Sequence, residues 1–403
     1  MTAKTRLDLI VFSHLRWDFV FQRPQHLLTR CAQYRRVYFV EEPVFEPDIP
    51  PTLHLSARGE RLFVAVPHLP SGTTEAETTM QLKQLVDGLV RERLSTSYIA
   101  WYYTPMALEF TRHLKPAKIV YDCMDELSNF KFAPPELCVL ENELFRLSHV
   151  VFTGGVSLYE HKRHKHINVH PFPSSVDVAH FRRARDMNEE PADQAVIARP
   201  RIGYAGVIDE RLDVDLIRGV AEARPDWQLV LVGPVVKIDP RALPRLPNIH
   251  YLGGRPYKEL PHYLAGWDVA MMPFGRNDAT RFISPTKTPE YLAAGRRVVS
   301  TSIRDVVRTY GEAGLVKIAD DARACIDAIE GSLHAQDSRE WLQSVDAYLS
   351  KMSWDETFRA MWQLIEDATE QPSVRRMPRT AARLSVPSTP TAVSAGVPLS
   401  PSS

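Results

Sequence analysis

Apolar and polar positions alternate along this chain with two different periods. Short runs of β-branched and apolar residues, such as "LDLIVFS" from Leu7 to Ser13, are followed by segments with apolar residues at helical spacing, such as Leu27, Leu28 and Cys31 in "RPQHLLTRCAQY". Pro24 suits the first turn of that helix, where a missing N–H costs nothing. The series continues through "RRVYFVEE", "RLFVAVP", a polar helix near Glu75 to Leu94, "SYIAWYY", a helix after Pro105, "KIVYDCMD", a helix from Pro135 to Leu147 and "HVVFTGG". Short buried strands interleaved with helices predict βαβ units and a parallel sheet.

A polar stretch at 182–200, with Pro191 and Pro200, reads as a linker. A second alternating series follows it: "RIGYAGVI" (Arg201 to Ile208), "WQLVLVGP", "NIHYLGG", "WDVAMMPF", "RRVVSTS" and "GLVKIA". The pattern predicts an α/β protein of two Rossmann-like, doubly wound parallel-sheet domains in tandem, 1–181 and 201–336. Residues 337–370 read as helical, with Ser353 and Glu356 spaced as a capping box before the stripe Phe358, Met361, Leu364 and Ile365. Residues 371–403 are rich in Pro, Ser, Thr and Ala and are predicted to be disordered.

Composition narrows the partners. Among 403 residues, Lys+Arg and Asp+Glu both count 49, so nothing points to nucleic acid or to an acidic tail. The four cysteines (Cys31, Cys123, Cys138, Cys325) show no C-x-x-C spacing and suit free thiols in a reducing cytoplasm. The first apolar run is too short for a signal peptide, and no segment reaches the roughly 18 apolar residues of a membrane span. The expected location is therefore cytoplasmic, with any membrane contact peripheral. No feature of the sequence speaks to the oligomeric state.

In open parallel sheets, ligands bind beyond the carboxyl ends of the strands. After the first strand, "HLRWDFVFQRP" places His14, Arg16, Trp17, Asp18, Gln22 and Arg23 where they can grip a polar ligand. The alternative is that its aromatics cover the core and its charges pair locally. After "KIVY", Asp122 and Asp125 can act on a hydroxyl in a cleft, or Asp125 can cap the next helix. Gly203 and Gly206 allow backbone amides close to a ligand. Neither G-x-G-x-x-G nor a P-loop is present, which disfavours a simple nicotinamide or ATP site. Asp213 and Asp215 imitate a D-x-D metal motif but fit better in the first turn of a helix. The run "EHKRHKH" from Glu160 to His166 suits a helix C-terminus rather than a zinc site or a lipid-phosphate contact.

The sharpest signal is "SPTKTPEYLAAG", Ser284 to Gly295, after the strand-like "WDVAMMPF" and a loop carrying Asp278 and Arg281. Ser284 with Pro285, or Thr288 with Pro289, can start a helix there. Lys287 suits a diphosphate and the acceptor-only Glu290 suits a ribose diol, and at i, i+3 they share one helix face. A phosphate portion and a diol portion together describe a nucleotide sugar. The alternative is a surface ion pair.

With "SHLRWDFVFQRPQHLL", "FPSSVDVAHF", "GYAGVIDERLD", "LVGP", "NIHYLGG", "WDVAMMPF" and "SPTKTPEYLAAG", the sequence resembles bacterial GT-B glycosyltransferases over residues 7–370. The resemblance is to the retaining family 4 type of exopolysaccharide and teichuronic-acid pathways. It implies two domains facing a cleft, the first holding the acceptor and the second the donor, with the last helices returning to the first domain. It implies that Glu290 holds the donor ribose. The family's second acid, eight residues earlier, falls on Phe282, and Asp278 is the nearest acid. The resemblance carries the diphosphate contact to Arg211 and Lys287, and places Asp122 and Asp125 near the reacting carbon. Gly206, Asp278, Arg281, Ser284 and Thr286 complete the expected donor side, and His14, Arg16, Trp17, Asp18 and Arg23 the acceptor side. The implied reaction moves a sugar, with UDP as the expected nucleotide, to a hydroxyl of a saccharide or lipid-linked acceptor, with retention and with no metal or other cofactor. A nucleotide-sugar-binding protein of the same frame that performs no transfer, epimerase-like or partner-binding, is the alternative.

Overall fold

A computed structural model describes residues 7–131, 133–335 and 339–368. The tail expected at 371–403 lies outside the described residues.

Two sheets organise the described chain. The first contains β1 (Asp8–Phe12), β2 (Val37–Val40), β3 (Val44–Glu46), β4 (Thr52–Ala57), β5 (Leu62–Pro70), β6 (Tyr98–Tyr102), β7 (Lys118–Cys123), β8 (Val150–Thr153) and β9 (Val169–Pro171). Their order is β3-β5-β2-β1-β6-β7-β8-β9, parallel throughout, with β4 added antiparallel on β5. The second sheet contains β10 (Arg201–Ala205), β11 (Gln228–Val232), β12 (Ile249–Gly253), β13 (Val269–Met272), β14 (Arg297–Ser300) and β15 (Val316–Ile318). It is parallel, in the order β12-β11-β10-β13-β14-β15.

The central strands β1, β2, β6 and β8 are buried at every position, because helices cover both faces of a parallel sheet. Alternate residues serve opposite faces. Leu9 and Val11 pack with Leu27, Leu28, Met361 and Ile365, whereas Ile10 and Phe12 pack with Val86, Leu89 and Leu144. In the second domain, Gly203 is required by packing. A Cβ there would sit 1.9 Å from the ring of Trp267. Its role is therefore close contact with an indole, not the ligand-facing amide that its motif suggested.

The regions flanking the second domain are more structured than their composition indicates. Within 182–200, expected as a linker, the Ala192–Ala195 helix buries Gln194, which accepts from Trp267 Nε1 at 2.9 Å and donates to the Tyr263 carbonyl at 3.0 Å. The Arg339–Leu349 helix stays with the second domain, its Val345 and Leu349 in that core and its Asp346 paired with Arg185. The Trp354–Asp367 helix alone of these two crosses to the first domain, burying Trp354, Phe358, Met361 and Ile365 there. Ser353 caps it by accepting from the amides of Asp355 and Glu356, but the Glu356 side chain pairs with Arg359, so the expected reciprocal box is half made.

The two domains touch through specific side chains. Phe282 of the second domain enters a first-domain core cluster and stacks on His161 at 4.5 Å and 19°. Asp305 accepts from the amides of Val156 and Ser157 at 2.9 and 3.0 Å, so it caps the first-domain helix Val156–Lys162. Gly155 makes this approach possible, since a Cβ there would lie 2.3 Å from Asp305 Oδ2 and 2.8 Å from Ser284 Cβ. Tyr257 is sandwiched between Phe21 of the first domain, at 4.5 Å, and His180, at 4.4 Å.

Candidate active site between the domains

The carboxyl ends of the two sheets meet at a cavity of about 150 Å³. Arg23 and Asp125 line it from the first domain, and Gly206, Arg211 and Ser284 through Lys287 from the second. Strand ends explain this convergence. Asp125 follows β7, Gly206 follows β10, and Ser284 follows the loop after β13.

On the second-domain side, the helix starts at Lys287, between the two expected caps, and runs to Ala293. Thr286 occupies the cap position without a side-chain hydrogen bond, and Thr288 is buried, donating to Met272 Sδ. Lys287 Nζ donates to Glu290 Oε2 at 2.9 Å, with both side chains largely buried. Burial pushes the Glu290 carboxyl above the usual range, and Lys287 pulls it back. The ion pair is therefore real but not a surface one. Tyr257 lies close enough to Glu290 to feel its charge, and the Tyr257 hydroxyl is buried with no partner among the described residues. Gly206 lines the cavity, but its amide donates to the Val232 carbonyl at 2.9 Å and is spent in the fold.

Arg211 is held by its own loop. Its Nε donates to both Asp209 oxygens at 3.0 and 3.1 Å, and its Nη2 to Oδ2 at 2.7 Å. Asp209 was not among the expected residues, although the D-x-R spacing in "IDER" carried the signal. Asp278 and Arg281 are exposed and do not line the cavity. The Asp278 carbonyl accepts from Asn129 Nδ2 at 2.9 Å, which uses its backbone to join the domains.

The first-domain side differs from expectation. Arg16 donates to Glu41 and to the carbonyls of Glu42 and Pro43. Trp17 packs edge-on to Phe39 at 5.1 Å, and Asp18 pairs with Arg58. These three residues satisfy local partners and do not line the cavity. His14 is buried with Nδ1 unpartnered among the described residues, and burial, then Lys237, pulls its pKa down to about 4. Arg23 and Asp122 form a buried pair, with Nε 3.1 and 3.0 Å from the two carboxylate oxygens. Arg23 also donates to the Phe172 carbonyl at 2.6 Å, so Asp122 is consumed by the fold rather than presented to the cavity.

Asp125 is the carboxylate that reaches the cleft. It does not cap the next turn, Leu127–Asn129, where Glu126 holds the cap position. Burial raises the Asp125 carboxyl, Arg211 across the cleft lowers it, and its side chain makes no hydrogen bond among the described residues. Asp213 caps the Val214–Ala223 helix and Asp215 pairs with Arg218, so this D-x-D is helix chemistry.

A second cavity, of about 320 Å³, opens at the ends of β1 and β2 in the first domain. Glu42, Glu75, Glu109, Thr104 and Phe110 contribute to its wall, and no lysine or arginine does. Burial, then Glu75, raises the Glu109 carboxyl.

Two facing parallel-sheet domains with a cavity between their strand ends, and a last helix returning to the first, make up the GT-B glycosyltransferase fold. Solved structures agree. The chain superposes on sucrose-phosphate synthase from Thermosynechococcus elongatus with TM-score 0.67 and 13% identity, covering 90% of this chain and 98% of that one. An α,α-trehalose-phosphate synthase from Burkholderia xenovorans, in complex with glucose-6-phosphate, matches with TM-score 0.67 and 11% identity, covering 89% and 100%. Within that fold, residues 199–335, the second domain, match the family described as glycosyl transferases group 1. A curated relative, the putative teichuronic acid biosynthesis glycosyltransferase TuaH of Bacillus subtilis (strain 168), is 32% identical over 122 residues, or 29% of this chain. The match spans about a third (31%) of that relative's length.

Proposed function

We propose that the protein transfers a sugar from a nucleotide-sugar donor, UDP-linked, to a hydroxyl of a saccharide or lipid-linked acceptor in cell-surface polysaccharide synthesis. One observation carries this reading: the cations Arg211 and Lys287 of the second domain share a cavity with the Asp125 carboxylate of the first. The group 1 match over the second domain and the teichuronic-acid relative support transfer and its cell-surface setting. A fold neighbour described as "Trehalose-6-phosphate from E. coli bound with UDP-2-fluoro glucose" supports a UDP-sugar donor.

The chemistry follows from charge. Arg211 and Lys287 stabilise the negative charge that grows on the departing diphosphate. The sugar's C–O bond to the diphosphate breaks, and the acceptor oxygen bonds to the same face, giving retention. The acceptor's proton passes to the leaving phosphate, while Asp125 orients the hydroxyl. Glu290 holds the ribose diol after Lys287 turns to the diphosphate. No step asks for a metal ion or another cofactor. The cavity, about 150 Å³, is smaller than the roughly 300–1,000 Å³ of ligand pockets, so the donor needs it to widen.

The acceptor belongs to the first domain. The reaction belongs in the cytoplasm, with peripheral contact at the inner face of the membrane. Among the described residues no helix is long and apolar enough to cross one.

The test uses the full chain. Thermal shift against UDP-, GDP- and dTDP-sugars identifies the donor, and release of free UDP with glucose or a lipid-linked glycan shows transfer. NMR of the product anomer and an EDTA series check retention and metal independence. An inverted product, or activity restored only by manganese, contradicts the mechanism. One observation favours the second reading, a binder that performs no transfer: Phe282 is seated in the first-domain core rather than in the cavity. Donor binding with no UDP release from any acceptor would select it.

A further inference from the structure

Arg211 and Arg241 form a natural pair for comparison. Both sit two residues after an aspartate, and both make the same local clamp. Arg241 donates from Nε to Asp239 at 3.1 and 3.0 Å and from Nη2 at 2.7 Å, and its backbone amide donates to Oδ1 at 2.9 Å. In Arg211 the matching distances are 3.0, 3.1, 2.7 and 3.0 Å. The surroundings separate them. The Arg241 side chain is 90% exposed, whereas that of Arg211 is 26% exposed and lines the inter-domain cavity.

An exposed clamp of this kind contributes little, because water competes for every bond. A part-buried one fixes an otherwise flexible side chain before the ligand arrives, so less rotamer entropy is lost on binding. Asp209 uses Nε, Nη2 and the Arg211 amide. That leaves Nη1 as the guanidinium nitrogen with no hydrogen bond among the described residues. The loop is fixed on its other side as well. Glu210 accepts from the Lys131 amide at 3.2 Å, and the Asp209 carbonyl accepts from the Leu212 amide at 3.1 Å.

We propose that Asp209 is a positioning residue for the donor diphosphate, holding the Arg211 guanidinium so that Nη1 remains available to the phosphate oxygens in the cleft. Asp209 does not touch the ligand. It acts through Arg211, and its carboxylate is already fully engaged. The inference rests on the glycosyltransferase reading above, since it takes the cleft ligand to be a nucleoside diphosphate.

Calorimetry on the full chain tests it with UDP and with uridine as probes. Asp209→Asn should weaken UDP binding about tenfold, the scale of one charge-assisted hydrogen bond, and leave uridine binding unchanged. Asp209→Glu restores the carboxylate on a longer stem and should recover part of the loss. Asp239→Asn, the exposed twin, should match the wild type with both probes. In turnover, Asp209→Asn should lower kcat more than it raises the donor KM, because the leaving charge peaks in the transition state. Equal loss of UDP and uridine would mean a merely structural role and would overturn the proposal, as would UDP binding equal to wild type. If Asp209→Asn fails to fold, Asp209→Glu decides: lost UDP affinity with intact uridine affinity supports positioning, and parallel loss of both refutes it. A wild-type chain that binds no UDP at all removes the nucleotide-sugar reading itself. UDP binding indifferent to Asp209 removes only the positioning role.

Discussion

The two lips of the cleft carry similar residues and use them differently. The first-domain lip after β1 holds two arginines, an aspartate, a histidine and a tryptophan, yet Arg16, Trp17, Asp18 and Arg23 are taken by partners within the first domain. The second-domain lip holds Arg211 and Lys287, each clamped by a neighbour in sequence and still facing the cavity. A charge after a strand is thus a site residue only if its partner leaves part of it unused. Arg23 also lines the cavity, but its distant partners Asp122 and the Phe172 carbonyl tie its guanidinium into the first domain, whereas Asp209 clamps Arg211 from within the same loop and leaves Nη1 without a hydrogen bond among the described residues.

Substitutions can break or sharpen this contrast. The largest effect should be on stability at Arg23. Arg23→Ala leaves Asp122 buried and unpaired and should cost about 3–5 kcal/mol in chemical denaturation. A small loss would mean that Arg23 is a ligand residue after all. Lys287→Ala leaves the buried Glu290 carboxylate without its partner, so it should cost stability in the same direction as Arg23→Ala, and it should lower turnover by about 10²-fold, read from initial rates of UDP release. Glu290→Gln should weaken donor binding by about 1–3 kcal/mol in calorimetry, because a charged acceptor is lost.

Asp125 reports on the cleft in the opposite direction. Its folded-state pKa is raised by burial, so its contribution to stability is full below the unfolded value and is lost as pH rises through the folded one. Asp125→Asn should therefore raise the melting temperature at neutral pH, with the gain vanishing in acid, while turnover falls. An unchanged melting temperature across the pH series would show Asp125 to be solvated. The smallest effect belongs to Asp18→Asn, whose exposed pair with Arg58 should be worth under about 1 kcal/mol by thermal melting.

The α/β series was legible because parallel strands buried on both faces appear as continuous apolar runs, as in "LDLIVFS" and "WDVAMMPF". The antiparallel β4 was not, since its residues are mostly exposed and leave no such run. The cavity's second-domain residues Arg211, Ser284, Thr286 and Lys287 were readable from their place after strands. The fate of Arg23 was hidden because its partner lies 99 positions away, and spacing within a loop says nothing about that. The helix start moved to Lys287 for a similar reason: Thr288 is drawn inward to Met272 and cannot serve as a cap. Asp209 was overlooked because a carboxylate beside an arginine reads as a local pair until the cavity is seen.

Asp305 gives the interface a built-in reporter. The Val156–Lys162 helix takes its capping carboxylate from the other domain, so parting the domains withdraws the acceptor from the amides of Val156 and Ser157. Deuterium uptake at those two amides is therefore a direct test of whether the domains part, and it can be read without any substrate turning over.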